Sequence, residues 1–356
     1  MTHNSSSKAN TVKAPTTAGR TGGGPRQLPA YALAILDILL IGLCLVIFAL
    51  FDHVIPRGEV AAVYTVPDVT AAPIAPETDT AVAANAAEAQ PTAAEGDFSA
   101  KFADKFTDGE VIVTDTSYQS ANLNVTLKKI ERVDNGTDNQ TIFVQDIYIR
   151  NIDCLRTVFA KDTYGKSISE DVVSMSTRSN AVAAINGDYY GVGTGGICIR
   201  NGVLYRRVFE ENEEVAIIYR NGDLKVFKGE SDLDVDREMA AGAWQSFSFG
   251  PGLLDEKGNL RLDGYQRVNH DPRTLIGMVE PGHYMFVVID GRQTGYAVGL
   301  TYKECADLCW ELGMKAAYNL DGGQTSQMTF MGQLVNRPYK NGRSTSDMVI
   351  IADWGT

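Results

Sequence analysis

The 356-residue chain has few of the residues that build common metal and nucleophile sites, with five cysteines and four histidines in all. Only His270 and His283 fall where the chain reads as globular, and neither sits in a metal-ligand pattern. No Gly-x-Ser-x-Gly elbow accompanies them, which argues against a serine hydrolase. The Cys-x3-Cys pair Cys305 and Cys309 is poor zinc spacing. One helical turn is also an awkward geometry for a disulfide, so both are expected as small buried apolar residues. No metal and no cofactor is expected. Positive charge is scarce too, with a net charge of -12. An acidic bulk argues against nucleic acid as a general partner, because phosphate backbones need a basic surface.

Charge is unevenly placed. Residues 1–27 carry Lys8, Lys13, Arg20 and Arg26 and no acid. Residues 28–51 are apolar except Asp37, long enough for a tilted transmembrane helix. The basic flank before this span predicts a cytoplasmic N-terminus and an extracellular remainder. Asp37, costly in hydrocarbon, predicts a partner helix or a protonated side chain. Residues 52–97 follow as a tether rich in Ala, Thr, Val and Pro. From 58 to 97 it has seven acids and no Lys or Arg, and Pro67, Pro73, Pro76 and Pro91 break any helix. A globular domain is expected from 98 to 356.

Within that domain the pattern is mainly β. Asn201-Gly202 and Asn221-Gly222 each separate two apolar runs, the strongest short-range hairpin signal. Further strands are predicted at Val111–Val113, Leu123–Ile130, Ile142–Ile149, Thr274–Val279, Tyr284–Ile289 and Met348–Ile351. Helices are fewer. Ser167-x-x-Glu170 and Thr301-x-x-Glu304 read as capping boxes, the second opening a helix that ends at Gly313. The expected class is α+β, with mainly antiparallel sheets and a few helices, preceded by one transmembrane helix.

Two stretches read almost identically. Ala183-Ala184-Ile185-Asn186-Gly187-Asp188 and Ala316-Ala317-Tyr318-Asn319-Leu320-Asp321 each end an apolar strand in Asn-x-Asp beside glycine. Such ends suit recognition of a polyhydroxyl or anionic ligand, and their likeness predicts one shared cleft. Arginines cluster in nearby glycine-rich loops: Arg273 after Asp271-Pro272, Arg292 after Asp290-Gly291, and Arg343 after Gly342. A guanidinium fork matches phosphate or carboxylate oxygens.

Taken in order, Asn186-Gly187-Asp188-Tyr189-Tyr190, Arg273-Thr274-x-Ile276-Gly277, Asp290-Gly291-Arg292 and Asn319-Leu320-Asp321-Gly322-Gly323 resemble the phosphodiester glycosidase family. That family includes N-acetylglucosamine-1-phosphodiester α-N-acetylglucosaminidases and bacterial exopolysaccharide-biosynthesis-related proteins. The resemblance spans about Tyr118 to Asp353. It implies an extracytoplasmic hydrolase that cleaves the glycosidic bond of sugar 1-phosphodiesters in envelope polysaccharide or glycans. Asp188, Asp321 and Arg273 are the implied catalytic residues. Asn186, Gly187, Asp290, Arg292, Asn319, Gly322, Gly323 and Arg343 are the implied substrate contacts. Where the family usually has a third glycine and serines, this chain has Gln324-Thr325-Ser326, a departure that bears on substrate identity. A non-catalytic polysaccharide binder and a phosphotransferase attaching polymers to the wall are the competing readings.

Overall fold

A computed structural model describes residues 96–134, 138–209, 214–229, 232–261 and 269–354. The expected basic tail, the apolar span with Asp37 and nearly all of the tether lie outside these residues. Among the described residues no helix is long and apolar enough to cross a membrane.

The larger sheet has eight strands, all antiparallel. Its spatial order is Ile112–Val113, Ser117–Gln119, Leu123–Asp134, Asp138–Ile149, His283–Asp290, Arg273–Glu280, Ala316–Asn319 and Gly252–Leu254. A five-stranded antiparallel sheet runs Gln333–Leu334, Met328–Phe330, Ala181–Asn186, Asp347–Ala352 and Leu155–Phe159. Side chains alternate between faces along a strand, and the packing follows that period. Ile276, Tyr284, Phe286, Val288 and Tyr318 of the large sheet join Ala183, Ile185, Met328, Val349 and Ile351 of the smaller one in a single core. The intervening residues Leu275, Met285, Val287, Ile289 and Ala317 face the helix Tyr302–Glu311 through Cys305, Ala306, Leu308 and Cys309. Ala184, Met348 and Ile350 face the helix Val172–Arg178. The domain is therefore α+β, two stacked sheets with a helix on each outer face.

Smaller sheets complete it. Glu214–Tyr219 pairs with Leu224–Lys228 across the Asn221-Gly222 turn and with Ala243–Phe247 on its other side. Gly196–Arg200 and Val203–Val208 form the second expected hairpin. Asn201 and Gly202 both take positive φ there (52° and 79°), as a two-residue hairpin turn requires.

The Thr301 capping box is present, with Thr301 and Glu304 bonded reciprocally. The Ser167 box is not. Ser167 sits at φ 58°, and the helix starts at Val172, capped instead by Asp171, whose Oδ1 accepts from the Val173 and Ser174 amides. Glu170 is engaged elsewhere, accepting from Arg178 and the Lys161 amide. All four cysteines of the described domain are buried free thiols.

Candidate active site

The two repeated stretches come from different sheets and meet at their ends. The Ala181–Asn186 strand and the Ala316–Asn319 strand each follow one of the two packed helices. The Asn186 side-chain amide donates to the Asp321 carbonyl at 2.8 Å, and the Asp321 amide donates to the Gly187 carbonyl at 3.3 Å. Asn186 Oδ1 accepts from the Thr274 hydroxyl and the Gln327 backbone amide. Asn186 thus stitches the two sheets together and has no group left for a ligand. Asn319 is likewise buried, donating to the Gly250 carbonyl at 2.7 Å. Both asparagines, expected as sugar contacts, hold the framework of the cleft.

The two aspartates have separated roles. Asp188 is 3% exposed. Its carboxylate pairs with Arg200 at 2.7 Å and accepts from the Ser248 amide at 2.8 Å. Arg200 is fully buried and also pairs with Asp347 at 2.9 Å. This buried Asp–Arg–Asp set underlies the site and does not open onto it. Gly187, expected as bare backbone for a ligand, instead makes room for Asp347: a Cβ there would lie 2.0 Å from the Asp347 carboxylate. Burial pushes the Asp347 carboxyl up to about 7, against the pull of Arg200.

Asp321 is the carboxylate that reaches the cleft. It lines two adjoining cavities, together with Arg343. Arg343 Nη2 donates to Asp321 Oδ2 at 2.7 Å, and Arg343 Nε donates to the Thr325 hydroxyl. Burial raises the Asp321 carboxyl above the ordinary aspartate value, while Thr325 and Arg343 oppose the rise.

The cavity on one side, of about 340 Å³, carries the arginines. Arg273 is held from beneath: Nε donates to the Leu300 carbonyl, Nη2 to the Asn269 carbonyl, and its guanidinium lies 4.0 Å from the Tyr302 ring centre. Arg292 Nε donates to Asp271 Oδ1 at 2.7 Å, and Arg273 pairs with the other oxygen of Asp271 at 3.4 Å. One carboxylate therefore aligns two guanidiniums. Arg292 takes φ 55° and passes close to Gly323, where a Cβ would lie 3.1 Å from Nη1; Gly323 itself needs its φ of 68°. Three guanidiniums face two carboxylates, Asp271 and Asp321, so this cavity is net positive in an acidic protein. Asp290 is not part of it. Tyr296, the Asn336 amide and the Arg337 backbone amide all donate to the Asp290 carboxylate, which is buried behind the loop.

Gln324 lines the arginine cavity but its amide is used. Nε2 donates to the Gly342 carbonyl at 2.8 Å, beside Arg343, whose own carbonyl accepts from Gln327 at 2.8 Å. Two glutamines thus fix the loop that presents Arg343. Among the described residues no group of three or more His, Cys, Asp or Glu side chains could hold a metal ion.

Asp271, Tyr302, Phe249, Arg200 and Asp347 were not among the residues expected at the site, although Asp271 and Asp347 stand in the stretches that carry Arg273 and Arg343. Asp271 stood beside Pro272-Arg273 and could have been found as the arginine's partner. Arg200 and Asp347 carried no local signal, because their partners are 12 and 147 residues away.

The stacked, mainly antiparallel sheets of this domain have counterparts among known proteins. Residues 179–352 match the family model for phosphodiester glycosidase. Those residues belong to the phosphodiester glycosidase family. The catalytic domain of zebrafish N-acetylglucosamine-1-phosphodiester α-N-acetylglucosaminidase, solved auto-inhibited by its pro-peptide, has a similar fold. It matches with TM-score 0.54 and 19% identity, over 69% of this chain and 88% of that one. A protein from Burkholderia pseudomallei matches at TM-score 0.44 and 14% identity, over 60% of this chain and 74% of that one. No curated protein sequence matches the chain. The phosphodiester glycosidase match contains Asp188, Asp321 and all three cleft arginines, and begins at Ser179, just before the first repeated strand.

Proposed function

We propose that this phosphodiester glycosidase domain hydrolyses sugar 1-phosphodiesters at the bond between C1 and the phosphate oxygen. The observation that carries the reading is Asp321, a nearly buried carboxylate beside a cavity lined by Arg273, Arg292 and Arg343. A phosphate ester already leaves well, so a strong general acid is not needed. The site must instead hold the departing charge, which guanidiniums do in place. Asp321 either takes a proton from water attacking C1 or attacks C1 itself, beneath an oxocarbenium-like transition state. The C1–O bond breaks with its electron pair on the phosphate, giving a free reducing sugar and a phosphomonoester. A carboxyl raised by burial is the stronger base once ionised, which suits either role.

Residues 1–27, 28–51 and 52–97 complete the reading as cytoplasmic tail, membrane anchor and tether, placing the domain outside the cell against envelope polysaccharide or glycans. Protease added to intact cells should then remove the domain, and a protected domain would reverse the orientation.

The full-length protein incubated with a sugar 1-phosphodiester and followed by phosphorus NMR should yield a phosphomonoester. A new diester would show polymer transfer, and an unchanged diester with retained binding would show a polysaccharide binder.

A further inference from the structure

We propose that the two cavities meeting at Asp321 divide the substrate: the hollow beside Tyr189 takes one neutral monosaccharide ring, and the arginine cavity takes the phosphoryl group with the remainder it esterifies. The division rests on the hydrolase reading only for placing the scissile bond at Asp321.

The two cavities differ in chemistry. The arginine cavity holds three guanidiniums. The hollow, of about 190 Å³, is lined by Ser167, Ser169, Thr325, Ser344, Thr345 and Ser346, with Ile168 and Val192 as apolar edges. Hydroxyls both donate and accept, which suits a ring carrying hydroxyls of both orientations. Among the described residues, the only charged groups in its lining are Asp321 and Arg343, already paired at 2.7 Å. A uronate or an amino sugar entering here would have to break that pair or stay uncompensated, so the ring is neutral. The volume falls below the ~300–1,000 Å³ of pockets for drug-sized ligands, which suits one ring and not a chain.

Tyr189 supplies the ring platform. It sits at φ 74°, an outlying conformation for an aromatic residue and one associated with functional sites. Its ring lies 5.2 Å from the Arg343 guanidinium and meets Phe249 edge-on at 6.4 Å. Tyr189 faces the hollow, while Phe249 lines the arginine cavity and is 39% exposed. A substrate crossing from one cavity to the other would place C1 at Asp321, which both cavities share, beside the edge where these two rings meet.

The test separates the cavities by binding, without turnover. Glucose and N-acetylglucosamine would be followed by saturation-transfer NMR, and inorganic phosphate by phosphorus line broadening, on the full-length protein. Ser169→Trp and Val192→Trp change exposed residues at the mouth of the hollow. Both should abolish the sugar signals and leave phosphate affinity within about twofold. Arg292→Ala should weaken phosphate about tenfold, the scale of one charge-assisted hydrogen bond, and leave the sugar signals intact. Glucuronate should give no signal with the wild type. The division is overturned if both tryptophan variants keep the sugar signals, if they lose phosphate instead, if glucuronate binds as well as glucose, or if the wild type binds no neutral sugar. Binding that divides as described without any hydrolysis would leave the two subsites standing and sink the hydrolase reading alone.

Discussion

Arg343 holds Asp321 at 2.7 Å across a gap of 22 residues, and each of the pair lines both cavities of the cleft. The arginine stabilises the ionised carboxylate that burial disfavours. Activity that needs ionised Asp321 should therefore rise with pH along a limb above the ordinary aspartate pKa of about 3.9. Arg343→Ala removes a lowering influence, so that limb should move to higher pH. A pH profile of kcat/KM checks this, and a limb that stays in place would remove Asp321 from the titrating step.

The two repeated aspartates should respond differently to the same change. Asp321→Asn keeps the shape of a cleft residue but removes its charge, and should lower kcat with melting temperature largely kept. Asp188→Asn takes a partner from buried Arg200. Breaking a buried ion pair costs about 3–5 kcal/mol, so this variant should fail first in thermal unfolding. Denaturation curves and steady-state rates of both proteins separate the roles. An Asp188 variant of wild-type stability would contradict the assignment.

Asp347 gives a signed prediction for stability against pH. Its folded carboxyl is raised to about 7 by burial, above the unfolded value of about 3.9. The folded state thus binds the proton more tightly than the unfolded chain does between these values. The contribution of this group is favourable below about 3.9 and is lost as pH rises towards 7, by a few kcal/mol. Asp347→Asn should flatten the stability profile across that window, as urea unfolding between pH 4 and 7 would show. An unchanged slope would place the effect elsewhere.

The arginine cavity should discriminate by charge of the leaving group. Arg273→Lys keeps the charge but loses the planar fork that stacks on Tyr302 and donates to Leu300 and Asn269. A phosphodiester substrate should lose roughly tenfold to a hundredfold in kcat/KM, the scale of a charge-assisted hydrogen bond. A substrate with a good uncharged leaving group should lose much less. Equal losses on both substrates would remove Arg273 from the phosphate site.

The strands were legible because their apolar residues alternate or run continuously. Every strand predicted in the globular part is present, several longer at the ends, such as Leu123–Asp134 for Leu123–Ile130. Short strands such as Gly252–Leu254 and Leu155–Phe159 were not, since runs of three to five residues are too short to show a usable period. Local chemistry also misled once: Ser167 and Glu170 have capping-box spacing, yet Glu170 is claimed by Arg178 and Asp171 caps the helix. The repeated Asn-x-Asp stretches do meet, through Asn186 and the Asp321 carbonyl, but the expected shared cleft takes only Asp321, since Asp188 is buried beneath it against Arg200. What each side chain does there was hidden, because Asn186, Asp188 and Gly187 are committed to Asp321, Arg200 and Asp347, contacts that only the stacked sheets create.

If Asp321 directs cleavage between C1 and the phosphate oxygen, the oxygen of water ends on the sugar. Hydrolysis of a sugar 1-phosphodiester in heavy-oxygen water, with products analysed by mass spectrometry, tests it most directly. The label should appear in the C1 hydroxyl of the released sugar and not in the phosphomonoester, and Asp321→Asn should lose both products. Label in the phosphate would mean attack at phosphorus and would contradict that cleavage.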